Sequence, residues 1–370
     1  MKVSNSFLGL VLTLVMVTPL AGQLKRNQPA GNPDVESFRE SWRVLNPITR
    51  RNLSVYPVVS TLKADTSDFI TLDEGIAKNW VRIAERGDIQ NALYRPRDSR
   101  RWPRVVEEQS RQSSASVNEL VLINRSDRPL LLLAGEVVSG GKQNRIIGAD
   151  MVVPPNSDPL PLSVFCVEHG RWSAGGGGFG VAGAIAHPEI RMEAQVNKSQ
   201  QGVWDSVARS ASALAAPSST SSYVDVVNSP KATRELDEVA SSIEEEYERE
   251  LEAKLGSSGA VGVIVAINGQ IVWSDVFPSA ELFSKYWPKL LRSYVLEAEG
   301  RRKSTKGVPS SKVAREFLLE DAGRAIIKEK PGAYRRTEIS TGGYQIVALE
   351  ALRKFADSGL LMHYNKMARD

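Results

Sequence analysis

One dipeptide constrains this chain more than any other feature. Asn268-Gly269 stands between two apolar, β-branched runs, Val261-Gly-Val-Ile-Val-Ala-Ile267 and Gln270-Ile-Val-Trp-Ser-Asp-Val-Phe277. A two-residue reversal needs positive φ at both central positions, which Asn and Gly adopt most readily, so the spacing predicts an antiparallel hairpin. Similar short runs recur upstream. Asn52–Val59, Arg145–Ile147, Met151–Val153 and Leu162–Val167 are strand-like and bounded by Pro, Gly and Asn. Val117–Ile123 and Leu130–Val138 flank the turn formers of 124–129 and read as a second hairpin, buried on both faces. Closely spaced strands of this kind favour an antiparallel sandwich or barrel over a parallel sheet.

Helical spacing interrupts this β pattern. A short helix is expected to begin near Thr71 within 71–90. A long one is expected over 230–255, from Ser229-Pro230 to Gly256, with Leu236, Val239, Ile243, Tyr247, Leu251 and Leu255 on one face. Its glutamates read as a solvated face. A third helix runs from Ser279 to Gly300, and Lys312–Gly323 reads as another. Strands at Tyr334–Ile339 and Tyr344–Leu349 and a last amphipathic segment follow. The class expected is α+β, mainly antiparallel β and sandwich- or barrel-like, with a helical insertion and C-terminal helices. Residues 210–222, rich in Ser and Ala, read as a flexible loop. The boundaries expected are a signal peptide over 1–22, a disordered leader over 23–44, a β-rich α+β domain over 45–300 and an α/β extension over 301–370. Lys2, the uncharged run Phe7–Leu20 and the small residues after it fit an exported, periplasmic or secreted protein with no membrane span after cleavage.

Composition narrows the chemistry. One cysteine, Cys166, excludes an intrachain disulfide, and three histidines make a His-rich metal site a poor fit, so no metal or cofactor is expected. A net charge of +4 over 47 basic and 43 acidic residues does not mark a specific nucleic-acid binder. Gly175, Gly177 and Gly180 satisfy G-x-G-x-x-G but lack the strand and long helix that a dinucleotide site needs, and Gly140-Gly-Lys142 lacks the spacing of a P-loop. Cys166-Val-Glu-His169 admits a nucleophile–base reading, against a core thiol beside a loop histidine.

The unusual feature is a concentration of polar residues beside tight glycine turns. Glu136, Lys142, Gln143, Asn144 and Arg145 follow one strand, and Glu168, His169, Arg171 and Trp172 follow another. Two readings stay open: a pocket for a small anion, with Lys142, Arg145 and Arg171 as its cations, or an ion-pair network such as Glu136–Arg171 or Glu168–Arg145. In a catalytic version, Glu136 or Glu168 is the general base and Arg145 stabilises developing charge. A structural envelope protein is the third possibility.

Gly135-Glu-Val-Val-Ser-Gly-Gly-Lys-Gln-Asn-Arg145, Val152-Val-Pro-Pro155 and Cys166-Val-Glu-His-Gly-Arg-Trp172 together resemble the ARG and rhodanese-phosphatase-superfamily-associated protein domain. Val261–Gly269 and Phe283–Tyr294 are similar to it as well, so the likeness runs from about Leu45 to Tyr294. The family's name links it with ADP-ribosylglycohydrolases and with rhodanese- or phosphatase-like proteins. The resemblance therefore implies ADP-ribose or a related nucleotide sugar as ligand, and no particular reaction.

Overall fold

The computed structural model describes residues 33–62, 64–86, 119–171, 178–216, 218–255, 259–301, 307–352 and 359–369. The chain opens with α1 (Pro33–Glu40), β1 (Trp42–Val44), β2 (Ile48–Arg50), β3 (Leu53–Ser60), β4 (Ile70–Thr71), α2 (Leu72–Ala77) and β5 (Val81–Glu85). Next come β6 (Glu119–Asn124), β7 (Leu130–Leu132), β8 (Glu136–Gly140), β9 (Arg145–Ile147), β10 (Met151–Val153), β11 (Leu160–Cys166) and β12 (Phe179–Ile185). Helices α3 (Pro188–Met192), α4 (Gln200–Ala213), α5 (Tyr223–Val227) and α6 (Pro230–Leu255) follow. The hairpin β13 (Gly262–Ile267) and β14 (Gln270–Val276) precedes α7 (Ala280–Gly300) and α8 (Ser311–Leu319). The last strands are β15 (Arg324–Lys330), β16 (Tyr334–Ser340), β17 (Tyr344–Leu352) and β18 (Gly359–Ala368).

The Asn268-Gly269 turn forms with φ of +54° and +78°, and Ile267 pairs with Gln270 across it. The hairpin sits inside a nine-stranded sheet ordered β1-β3-β13-β14-β18-β17-β16-β15, with β2 also on β3. Both faces of this sheet are covered. Val263, Val265 and Ile267 enter a core that includes Phe283, Leu290 and Tyr294 of α7. Ile264 and Ala266 enter another that includes Phe38 of α1 and Leu318 of α8. Lys366 of β18 fastens α8 by donating to the carbonyls of Phe317 and Glu320, while its ammonium lies 3.7 Å from the centre of the Tyr344 ring. A six-stranded sheet, β12-β8-β9-β11-β6-β5, and a small one, β10-β7-β4, enclose a third core around Ile83, Leu122, Leu132 and Val164. Only the β4–β7 pair is parallel among the described strands, so the chain is α+β with mostly antiparallel sheets. No described helix is long and apolar enough to cross a membrane.

Several expectations change. The runs around 124–129 are not a hairpin. Asn124 turns back on the loop, donating to the carbonyls of Arg128 and Pro154, and sends β6 and β7 into different sheets. The helix near Thr71 is only α2, closed at its start by a reciprocal cap between Thr71 and Glu74. Residues 33–44, expected within a disordered leader, form α1 and β1, because Trp42 is buried edge-on against Tyr364. The stretch 210–222 is not simply a flexible loop. Helix α4 reaches Ala213, since Val203, Val207 and Ser210 share its buried face. Residues 301–370, expected as a C-terminal α/β extension, share the large sheet, for β18 pairs with β14. The last segment, expected amphipathic, is that strand. The expected signal peptide lies outside the described residues.

At the junction of the sheets lies a buried, charge-balanced network. Asp275 accepts from both terminal nitrogens of Arg191, at 2.8 and 2.9 Å, from Trp273 Nε1 at 2.9 Å and from Tyr294 OH. His363 Nε2 at 3.0 Å and Asn365 Nδ2 at 2.9 Å complete its shell. The other histidine nitrogen, Nδ1, is 2.7 Å from Asp150, whose second oxygen accepts from the Ala134 amide at 2.7 Å. Two carboxylates thus face two cations, the arrangement in which buried charge is tolerated. Burial lowers the affinity of His363 for its proton, but Asp150 and Asp275 outweigh it, and its pKa is raised from 6.5 to about 9.

A pH dependence follows. A histidine that holds its proton more tightly when folded stabilises the fold fully below its unfolded value, and the gain is lost as pH rises through the folded one. Between pH 6.5 and 8 this alone lowers the unfolding free energy by about 1–2 kcal/mol. Lys198 and Lys366, whose burial lowers them to about 8, contribute with opposite sign towards the top of that window, so the net fall expected is about 1 kcal/mol. Urea titrations across the window check this, and a flat profile, or the same slope in His363→Gln, contradicts it.

Candidate functional site

The polar cluster is built on the turn from β8 to β9. Gly140 and Gly141 have φ of +133° and +52°. A Cβ on the first would stand 2.7 Å from the Gly178 carbonyl, and on the second 2.3 Å from the Phe179 ring. Only glycine fits both places. The turn delivers Asn144 to the loop after β11, where its amide donates to Glu168 Oε2 at 3.1 Å. The same oxygen accepts from Arg171 Nε at 2.8 Å, and Oε1 accepts from Thr220 Oγ1 at 2.8 Å. The Asn144 side chain joins Ser139, Gly140, Arg171 and Ser222. Burial raises the Glu168 carboxyl, but Arg171, Asn144 and Thr220 prevail and hold it below the usual range. Glu168 is thus an ionised carboxylate with both oxygens occupied, a poor general base.

Arg145 stands beside this network without a carboxylate. It is 1% exposed, and its NH1 reaches only the Gln143 side-chain oxygen at 3.2 Å and the Asn144 carbonyl at 3.3 Å. Its Nε, also buried, has no hydrogen-bond partner. Cys166 is its register partner on β11. Burial pushes that thiol up more than Arg145 pulls it down, which suits an inert core thiol rather than a nucleophile.

The remaining expected residues divide. The Lys142 amide donates to Glu85 at 3.2 Å. Arg171 keeps its side chain 33% exposed at the rim. His169 is exposed and packs edge-on against Trp204, with ring centres 4.4 Å apart. Trp172, Gly175 and Gly177 lie outside the described residues. Glu136 does not join the cluster: it begins β8, at the end of the strand away from the Gly140 turn. Its Oε1 pairs with Lys289 Nζ at 2.6 Å and its Oε2 accepts from the Leu133 amide at 2.8 Å. Lys289 also reaches Asp73 at 2.8 Å. Burial lowers Lys289, but the two carboxylates prevail and hold it protonated. The ion pairs are therefore Glu168–Arg171 and Glu136–Lys289, not Glu168–Arg145 or Glu136–Arg171.

The motif read from the sequence thus spans two places, one around Glu136 and one around Arg145. A model of the ARG and Rhodanese-Phosphatase-superfamily-associated Protein domain matches residues 41–365. The chain belongs to this family. The match crosses residue 300, as the nine-stranded sheet does. No curated protein and no solved structure matches the chain.

One constellation of this ARG and Rhodanese-Phosphatase-superfamily-associated Protein domain has no signal in local sequence. His187, just before α3, places Nδ1 2.5 Å from Glu297 Oε2 of α7 and Nε2 2.6 Å from Ser210 Oγ of α4. The Glu189 amide donates to the same Glu297 oxygen at 3.0 Å. Burial raises Glu297, but His187 and Arg301 bring it down to about 2. The scarcity of histidine is the one clue a sequence offers, since two of the three are fully engaged in buried hydrogen bonds. His187, Glu189 and Glu297 could also be grouped as metal ligands, their donor atoms lying within 4.8 Å of one another. Arg209 holds Glu189 at 2.6 Å and Arg301 holds Glu297 at 2.6 Å, so a divalent cation would meet carboxylates already neutralised.

Proposed function

We propose that the chain is an exported binding or accessory domain for a small anionic ligand, ADP-ribose or a related nucleotide sugar, held around Arg145. The observation that carries this reading is the buried Arg145 guanidinium, whose Nε has no hydrogen-bond partner and which forms no ion pair within 4.0 Å among the described residues. An uncompensated buried charge costs several kcal/mol, a cost that an arriving phosphate or carboxylate removes. Guanidinium binds such groups through paired N–H donors. Gln143 offers its side-chain amide beside the guanidinium, and Arg171, paired with Glu168, stands at the rim. The N-terminal residues 1–22, with their basic start and apolar run, support the exported address.

Thermal melts of the full chain with inorganic phosphate, ADP-ribose and sugar phosphates test the site. A ligand at a hundredfold excess over its Kd adds about 2.7 kcal/mol of stability. Arg145→Met is expected to abolish that gain and to melt, without ligand, at the same or a higher temperature, because the charge that needs a partner is gone. Equal ligand shifts in Arg145→Met, no shift with any of these anions, or strong destabilisation of the unliganded variant each contradict the assignment. The last result would mark Arg145 as a structural charge.

A further inference from the structure

The Ser210–His187–Glu297 chain is used by neither the fold-joining network at Asp275 nor the anion site. We propose that it is a second, hydrolytic site, with Ser210 Oγ as nucleophile, His187 as base, Glu297 as the group that orients the imidazole, and carboxylic esters as substrate class.

The connectivity is that of a nucleophile, a base and an orienting acid, drawn from three separate helical segments. Glu297 is ionised, and its Oε2 is fixed by the Glu189 amide at 3.0 Å and faces His187 Nδ1 at 2.5 Å. In the tautomer that carries its proton on Nδ1, the imidazole turns the Nε2 lone pair towards Ser210, 2.6 Å away. The serine hydroxyl has one proton and two acceptors in reach, His187 Nε2 and the Ser206 carbonyl at 2.9 Å. It can therefore donate to the imidazole before reaction, or turn to Ser206 when the imidazole is protonated. Beside the relay, Arg209 donates to Ser206 Oγ at 2.8 Å and to Glu189 at 2.6 Å, and its side chain is 57% exposed.

In the first step Ser210 Oγ bonds to the ester carbonyl carbon and passes its proton to His187 Nε2. The C–O bond to the leaving alcohol then breaks, and the alkoxide takes that proton. Water repeats the sequence on the acyl-serine: its oxygen bonds to the acyl carbon, its proton goes to His187, and the acid leaves as Ser210 recovers the proton. No redox partner or further reactant is required.

A fluorophosphonate probe tests the nucleophile on the full chain, because attack by Ser210 expels fluoride and leaves a stable phosphonyl ester. Mass spectrometry is expected to find one adduct on the peptide containing Ser210. It should be absent in Ser210→Ala and form at least about 100-fold more slowly in His187→Gln, the size of a general-base contribution. Circular dichroism of each protein establishes that it is folded. If His187→Gln does not fold, Glu297→Gln, which keeps the shape of the acid but not its charge, takes its place with the same expected slowing. Folded wild-type protein that stays unlabelled at Ser210, or labelling at an unchanged rate without the histidine or the glutamate charge, overturns the proposal and leaves the relay a clamp between helices.

Discussion

Asp275→Ala is expected to give little or no folded protein. The substitution removes the acceptor for Arg191, Trp273, Tyr294, His363 and Asn365 at once. Two buried cations then share Asp150 alone. Breaking a buried ion pair from one side costs about 3–5 kcal/mol, and a typical domain has only about 5–15 kcal/mol in all. Asp275→Asn keeps the volume but not the charge and is expected to fail nearly as badly, which separates the electrostatic loss from the cavity. Soluble yield and the urea midpoint measure both. A variant melting within a few degrees of wild type would show that the network is not what joins the sheets.

The second large effect is expected from Gly135→Val. Gly135 has a φ of +91°, and a Cβ there would stand 2.5 Å from Arg191 Cγ and 3.0 Å from Cδ. Arg191 cannot yield, because Asp275 holds both its terminal nitrogens and the Ala134 carbonyl accepts from its Nε at 3.2 Å. Backbone strain costs about 1–3 kcal/mol and overpacking a similar amount. Gly180→Ala is the control: nothing lies within 4 Å of its added Cβ, so a change within about 0.5 kcal/mol is expected. Denaturant midpoints of the two variants give the comparison, and equal midpoints contradict the steric argument.

Legibility in the sequence follows how local each cause is. The hairpin at Asn268-Gly269 is readable because its turn demands a backbone geometry that its own two residues supply. Helix α6 is readable because its apolar positions repeat within one segment. The parting of β6 from β7 is not, for it depends on where each strand finds its neighbour. The candidate site behaves likewise. The Gly140-Gly141 turn and the polar residues after it stand together in sequence, so Asn144, Arg145, Glu168 and Arg171 can be read as one group. The true partner of Glu136 is Lys289, 153 residues away, and nothing near Glu136 announces it. Ser210 is hidden for a different reason: the Ser/Ala composition around it imitates a loop while Val203 and Val207 keep it on a buried helical face.

The place of β18 has a consequence for how the molecule is made. This last strand lies between β14 and β17, inside the large sheet rather than on its edge. Until residues 359–368 have been synthesised, β13–β14 and β15–β17 remain two fragments, and His363, Asn365 and Lys366 are missing from their buried partners. Contacts so distant along the chain are slow to form. Closure of the large sheet therefore waits for residues 359–368, and a nascent chain stays open, and available to whatever handles it, until they have been made.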